Sequence, residues 1–211
     1  RKGYLWVVVG INTRMIYRLY DDGSRFEKVI LNELGGCKGI IQSDGYSPYR
    51  KLESDAYPHI TRIPCLQHIK RKFIDCGEDE PDAKRIVELI NTLYQNEHKH
   101  KIGVDGWTVE QNLVHRKKYA PDILGEIKDV LDDIEERGDL LPKSELKEAI
   151  TYLRNEWNAV VDIFNYGDTY LDNNIVERMN RYISLSRKNS LFFGSHKGAE
   201  RGAILYTIAL T

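Results

Sequence analysis

From about Pro64 to Phe164 the apolar residues of this chain recur three and four positions apart, and that spacing commits the stretch to helix after helix. Ile86, Leu89, Ile90 and Leu93 form one stripe. Leu124, Ile127, Leu131 and Ile134 form a second, and Leu146, Ile150, Leu153 and Trp157 a third. Gly103 to Gly106 and Gly138 to Pro142 read as the connecting loops. A block of this kind makes its own small core and packs on a neighbour as a unit, without threading through it.

The residues before the block read differently. Tyr4 to Val9 is a continuous apolar run, the pattern of a strand buried on both faces. A turn at Gly10 to Thr13 leads to Met15 to Tyr20, its antiparallel partner. Ser24 and Glu27 have capping-box spacing ahead of a helix with Phe26, Val29, Ile30 and Leu34 on one face, ended by Gly35–Gly36. Lys38 to Ser43 is a third strand stopped by Asp44–Gly45, Ser47–Pro48 opens a short helix, and His59 to Ile63 is a fourth strand. After the block come two more helices, one with Asp172 as N-cap and one from about Ala199 to Leu210. The expected fold class is α/β, a mixed sheet with helices interrupted by an all-helical insertion. The expected divisions are residues 1–63, 64–164 and 165–211.

A chain of 211 residues, 41% hydrophobic and 30% charged, supports a packed core and excludes disorder. No apolar run approaches the roughly 20 residues that span a bilayer, and three cysteines are too sparse for a secreted disulfide scaffold, so a reducing cytoplasm is expected. The net charge of −1 says nothing of partners. Its distribution says more. His68 to Lys72 reads HIKRK, His115 to Lys118 reads HRKK, and Arg178, Arg181, Arg187 and Lys188 crowd one late segment, as on a phosphate-binding face.

Asp44 ends an apolar strand, where ligands gather in open α/β sheets, and Gly45 lets the backbone turn sharply behind it. Asp–Gly is also a common turn. Glu177 lies in a helical register with Asn173, Asn174 and Arg181, while Ile175, Met179, Tyr182 and Ile183 face inward. The same spacing describes an exposed Glu–Arg pair. Cys65 and His68 have the spacing of half a zinc site, and no second half is evident.

Several segments stand in the order found in one family. These are GYLW at Gly3 to Trp6, QSDGYSPY at Gln42 to Tyr49, CLQHIKRKF at Cys65 to Phe73, DNNIVERMNR at Asp172 to Arg181, RKN at Arg187 to Asn189, FGS at Phe193 to Ser195, and GAERGAILY at Gly198 to Tyr206. Together they resemble the insertion sequence 66 family of bacterial transposases, of the DDE type with a ribonuclease-H-like fold. The resemblance implies that Asp44 is the second catalytic Asp and Glu177 the final Glu, both binding two Mg²⁺ or Mn²⁺ ions. It implies hydrolysis and strand transfer at transposon ends, with double-stranded DNA as partner, a homo-oligomer, and no membrane. Lys70, Arg71, Lys72, Arg178, Arg181, Arg187 and Lys188 would face DNA. The family's first Asp lies on a strand upstream of GYLW, and Asp21 and Asp22 are poor substitutes for it. The chain therefore reads as N-terminally truncated and inactive alone. Two alternatives are a ribonuclease-H-like nuclease without strand transfer and a non-catalytic DNA-binding or oligomerisation remnant. The two carboxylates should lie within roughly 8 Å, a span that two ions ~4 Å apart bridge. Without the first strand, Tyr4–Val9 and Lys38–Ser43 either pair directly or accept a segment from a second copy, the outcome favoured here.

Overall fold

The short apolar runs become short strands and the three stripes become long helices. The computed structural model describes residues 3–22, 24–189 and 193–210, with the backbone alone for 186–189 and 210. Trp6–Gly10 (β1) pairs antiparallel with Met15–Leu19 (β2), in a register running from Trp6 opposite Leu19 to Gly10 opposite Met15. Glu27–Leu34 (α1) follows. Gly39–Ser43 (β3) pairs with Ile60–Pro64 (β4), and a 3₁₀ helix, Ser47–Glu53, lies between them in sequence. The helices Leu66–Asp75 (α2), Pro81–Glu97 (α3), Val109–Arg137 (α4), Glu145–Ile163 (α5), Asn174–Asn189 (α6) and His196–Leu210 (α7) complete the order. The fold is therefore mixed α/β.

The sheet differs from expectation. Among the described residues there are two sheets of two strands, β1–β2 and β3–β4, instead of one mixed sheet, and β1 does not pair directly with β3. Every residue of β1 is half-buried; none reaches the full burial its apolar run implies. Two compact units are present. One comprises residues 1–38, 47–60 and 173–211, the other residues 39–46 and 61–172.

The second unit contains the main core. Ile63, Leu66, Ile69 and Phe73 of β4 and α2 pack with the stripes of α3, α4 and α5. Every residue of the three stripes is buried, save Trp157, which packs partly buried against them. No strand interrupts residues 82–164. Local signals set the helix ends. Thr108 and Gln111 form a reciprocal capping box at the start of α4. That helix stops at Gly138, whose φ of 67° is left-handed and favours glycine.

Two local expectations are corrected. Ser24 and Glu27 do not form a capping box. Ser24 Oγ accepts from the N–H of Phe26 (3.1 Å), a tight turn that delays the helix start to Glu27, and Glu27 pairs instead with Lys51. Likewise α6 begins at Asn174, which leaves Asp172 outside it.

The HRKK segment is not a uniform basic face. Arg116 is fully buried, one of the largest side chains removed from solvent. Its position belongs to the buried register of α4, with Asn112 one turn before and Ala120 one turn after. Its Nε donates to Glu97 Oε2 (3.0 Å) and its Nη2 to Glu97 Oε1 and to Thr169 O (2.7 Å). Its Nη1 donates to Thr169 Oγ1 (2.6 Å), Tyr166 O (2.5 Å) and Ile163 O (3.2 Å). All five N–H groups of the guanidinium are thereby directed at oxygen. Asn112 adds a bond to Gly167 O (2.8 Å), and Tyr119 donates to Glu97 Oε2 (2.9 Å). The connector from α5 to α6 is thus fixed to α4 along its length.

The other unit also holds a buried guanidinium. On β2 the inward residues are Ile16 and Arg18, the latter 2% exposed. Arg18 donates from Nη1 to Tyr206 O (2.8 Å) and from Nη2 to Met179 O (3.2 Å), so it ties α6 and α7 to β2. Tyr206 lies in the last turns of α7, where a cation also meets the negative end of the helix dipole.

Replacing Arg116 by Ala should lower the unfolding free energy by about 3–5 kcal/mol, because it strands a largely buried carboxylate, and chemical denaturation measures the loss. Acid unfolding supplies a second test. Burial pushes the Glu97 carboxyl up, but hydrogen bonds and charge from Arg116, then bonds from Tyr119 and Asn112, hold it net below its ordinary 4.5. A carboxyl depressed in the folded state contributes fully above its unfolded value and loses that contribution as pH falls through the folded one. The wild type should therefore lose stability below about pH 4.5 more steeply than Glu97→Gln, read from thermal unfolding across pH.

Candidate functional site

Asp44 follows the last residue of β3, and its local geometry is that of a held turn. Its Oδ1 accepts from the N–H of Tyr46 (3.1 Å), which fixes the carboxylate's rotamer and starts the path into the 3₁₀ helix. The side chain is half-buried. A carboxylate bound through one oxygen still offers the other and further lone pairs to a ligand.

The strand behind Asp44 is secured by buried polar groups. Ser43 Oγ donates to Asp44 O (3.0 Å) and accepts from Arg62 Nη1 (3.3 Å) on β4. Arg62 Nη2 donates to Glu156 Oε2 on α5, and both side chains are 1% exposed or less. A pair so desolvated holds its geometry closely, since either charge alone would be stranded. Gln42 Nε2 donates to Pro64 O (3.2 Å) and to Tyr170 O (2.7 Å), while the N–H of Leu66 donates to Leu171 O (2.8 Å). The segment that leads toward α6 is therefore fastened beside the end of β3.

Gly45 has a different purpose from the one its sequence context indicates. Its φ is not left-handed, so the turn does not require glycine on conformational grounds. A Cβ built there would lie 1.6 Å from the hydroxyl oxygen of Tyr152 on α5. Glycine is needed because a phenol occupies that space. The Lys72 Nζ lies 5.0 Å from the centroid of the same ring, a cation–π distance.

Cys65 is buried and unoxidised just before α2, and His68 is half-buried on its first turn. Lys70 is half-buried, while Arg71 and Lys72 are exposed. On α3, burial and then the nearby Asp172 carboxylate push the Tyr94 phenol well above its ordinary value. Among the described residues no three His, Cys, Asp or Glu side chains are gathered closely enough to hold a metal ion.

Glu177 lies on the first turn of α6, in the other unit, with its N–H donating to Asn173 O (3.3 Å). Its side chain is exposed, as are those of Arg178 and Arg181. Ile183 is buried and Ile175 and Met179 half-buried, but Tyr182 is 53% exposed. The inward reading of Tyr182 is corrected, because it stands one position from Arg181 on the solvent side of the helix. The side chains of Arg187 and Lys188 lie outside the described residues.

Sequence reasoning missed Arg62, Glu156, Tyr152, Arg116 and Glu97. One signal was present. Glu156 interrupts the apolar stripe of α5, and Arg116 continues the buried register of α4 one turn ahead of Ala120; a charge at such a position implies a buried partner. Nothing in the spacing named the partner.

Comparison with known proteins places the chain. The family model described as Transposase IS66 family matches residues 1–201. The chain is 30% identical over 192 residues to the uncharacterized protein y4jD of Sinorhizobium fredii, covering 88% of this chain and 36% of that protein. It is 28% identical over 195 residues to the uncharacterized protein y4hP of the same organism, covering 84% and 34%. It thus spans little more than a third of the length of these curated relatives. No solved structure matches it significantly. With the family match running from the β1–β2 hairpin through the Asp44 turn and the helical block into α7, the chain belongs to the IS66 family of transposases.

Proposed function

We propose that this chain is the catalytic portion of a DDE-type DNA transposase that cuts at transposon ends and joins the freed 3′-hydroxyl to target DNA. Asp44 and Glu177 are two of its metal-binding carboxylates. The observation that carries the reading is the way Asp44 is held. A carboxylate at the carboxyl end of a strand has its rotamer set by Tyr46 and its strand locked by Ser43, Arg62 and Glu156. A mere turn residue needs no buried ion pair behind it.

In kind, the donors fit a hard divalent cation, because carboxylate oxygens suit Mg²⁺ or Mn²⁺. In number, two carboxylates fall short of the usual set. Two such ions, when bound, activate the attacking oxygen and stabilise the leaving one. The protein's own part is to orient its acids and to hold the strand. Arg71, Lys72, Arg178 and Arg181 are exposed cations suited to phosphates, with the half-buried Lys70 beside them. Arg187 and Lys188 join them on sequence grounds. Pairing two element ends calls for a homo-oligomer. The bacterial cytoplasm, where the DNA lies, is its place of action, and no helix among the described residues is long and apolar enough to cross a membrane. The division into a sheet part, a helical insertion and closing helices belongs to the same proposal.

In the full-length transposase, Asp44→Asn and Glu177→Gln should each lower Mg²⁺-dependent nicking of end-bearing DNA by at least about 100-fold, beyond the 10–100-fold typical of an outer partner. Glu148→Gln, exposed on α5, should leave it unchanged. Nicking that survives Asp44→Asn overturns the reading, and nicking without joined product assigns a nuclease instead.

A further inference from the structure

The charges of α7 oppose its own dipole. Its first turn carries Lys197 and no acid, Arg201 follows one turn later, and its last turn carries no base. Cations stabilise a helix at its C-terminal end, where unpaired carbonyls gather, and not at its start. Both side chains are exposed, and among the described residues neither forms an ion pair. Beyond them the same face turns apolar. Lys197, Arg201, Ile204, Leu205 and Ile208 make one stripe at three- and four-residue spacing. The three aliphatic members are between 54% and 72% exposed, while Ala199 and Ala203 on the opposite side are buried. The helix packs on β2 and α6 packs on β1, so the two form one layer over the hairpin, joined where Arg18 bonds Tyr206 O and Met179 O. Tyr182 and Leu185 of α6 are exposed as well. Together the five apolar side chains offer on the order of 600 Å², close to the apolar share of the roughly 800 Å² that each side of a stable dimer buries. A wholly apolar cover would bury two unpaired cations at one end of the stripe. A second α7 laid antiparallel meets both halves. Its last turn brings the negative end of a dipole to Lys197 and Arg201, and its aliphatic side chains meet their equivalents near the crossing point. A two-fold axis makes the exchange reciprocal.

We infer that α7 is the contact helix of a homodimer, paired antiparallel with α7 of a second copy. The inference rests on the proposed transposase function, which calls for two copies to pair two element ends, and it names the surface that joins them. It also gives a reason for the reversed charge order of the helix, since charges misplaced for one dipole are well placed for its antiparallel neighbour.

The test is sedimentation of the full-length transposase, without DNA, across a concentration series. The wild type should be a dimer. Leu205→Glu combined with Ile208→Glu should raise the dimer dissociation constant by at least about 100-fold, the scale of losing two central contacts. Lys197→Glu combined with Arg201→Glu suits the dipole of a lone α7, so it should leave thermal unfolding at high dilution no lower while weakening the dimer about tenfold at low salt. A third measurement does not depend on how the charged variants fold. In a Cys37→Ser background, Leu205→Cys should give a disulfide-linked dimer on mild oxidation, whereas Glu148→Cys, exposed on α5, should not. A monomeric wild type overturns the inference, as does a dimer that persists in the Leu205→Glu, Ile208→Glu variant. Loss of fold in that variant, with no cross-link through Leu205→Cys, assigns the face to another part of a longer chain and overturns it too. Asp44→Asn separates this failure from that of the catalytic reading, since it should stay dimeric and lose nicking. Nicking retained in Asp44→Asn refutes the catalytic reading, whereas a monomeric wild type whose nicking needs Asp44 refutes the α7 contact alone.

Discussion

Arg116 sits where a helical stripe demands an apolar residue, and the structure around it is organised to meet that demand. A guanidinium taken fully out of water costs several kcal/mol unless its donors and charge are all answered. Glu97 of α3 answers the charge, and the backbone of residues 163–169 answers the remaining donors. A connector that would otherwise run over the surface becomes a fixed element, with Gly167 so close to α4 that a Cβ there would meet Val109 O at 2.0 Å. The path of the chain out of the helical block is therefore decided inside that block.

The same logic recurs on α5. Tyr152 and Glu156 lie four residues apart, on one face; the first meets the turn after β3 and the second meets Arg62 of β4. One fills the space over Gly45 and the other holds Arg62, which in turn holds Ser43. Two adjacent helices thus each use a one-turn pair, Asn112 with Arg116 and Tyr152 with Glu156, to grip non-helical chain. The insertion acts as a jig for its neighbours, and its polar contacts are as deliberate as its apolar stripes.

What was legible in the sequence follows from the range of each signal. Stripes at 86–93, 124–134 and 146–157 are local and dense, so the helices could be read directly. The strands were legible because apolar runs and turn residues bound them within a few positions. Pairing of the first hairpin was legible through its turn, but pairing beyond it was not, since nothing in Tyr4–Val9 or Lys38–Ser43 specifies which further edge meets which. Capping at Ser24 misled because a hydroxyl three residues before a Glu serves a helix or a tighter turn equally well. The basic run at 115–118 misled for a related reason. Composition counts a charge, but only the helical register says whether it faces water, and that register placed Arg116 inside. Asp44 was visible by its position at a strand end, whereas Arg62 and Glu156 behind it are joined only in three dimensions.

The contact between Gly45 and Tyr152 ties the histories of two distant positions together. A larger residue at 45 is compatible with the fold only if the aromatic at 152 has already shrunk or swung away, and restoring a phenol at 152 then requires the glycine to return first. Change at either position of this chain is thereby made dependent on order. Each step is open in one background and closed in the other, so drift through these two sites proceeds as paired exchanges.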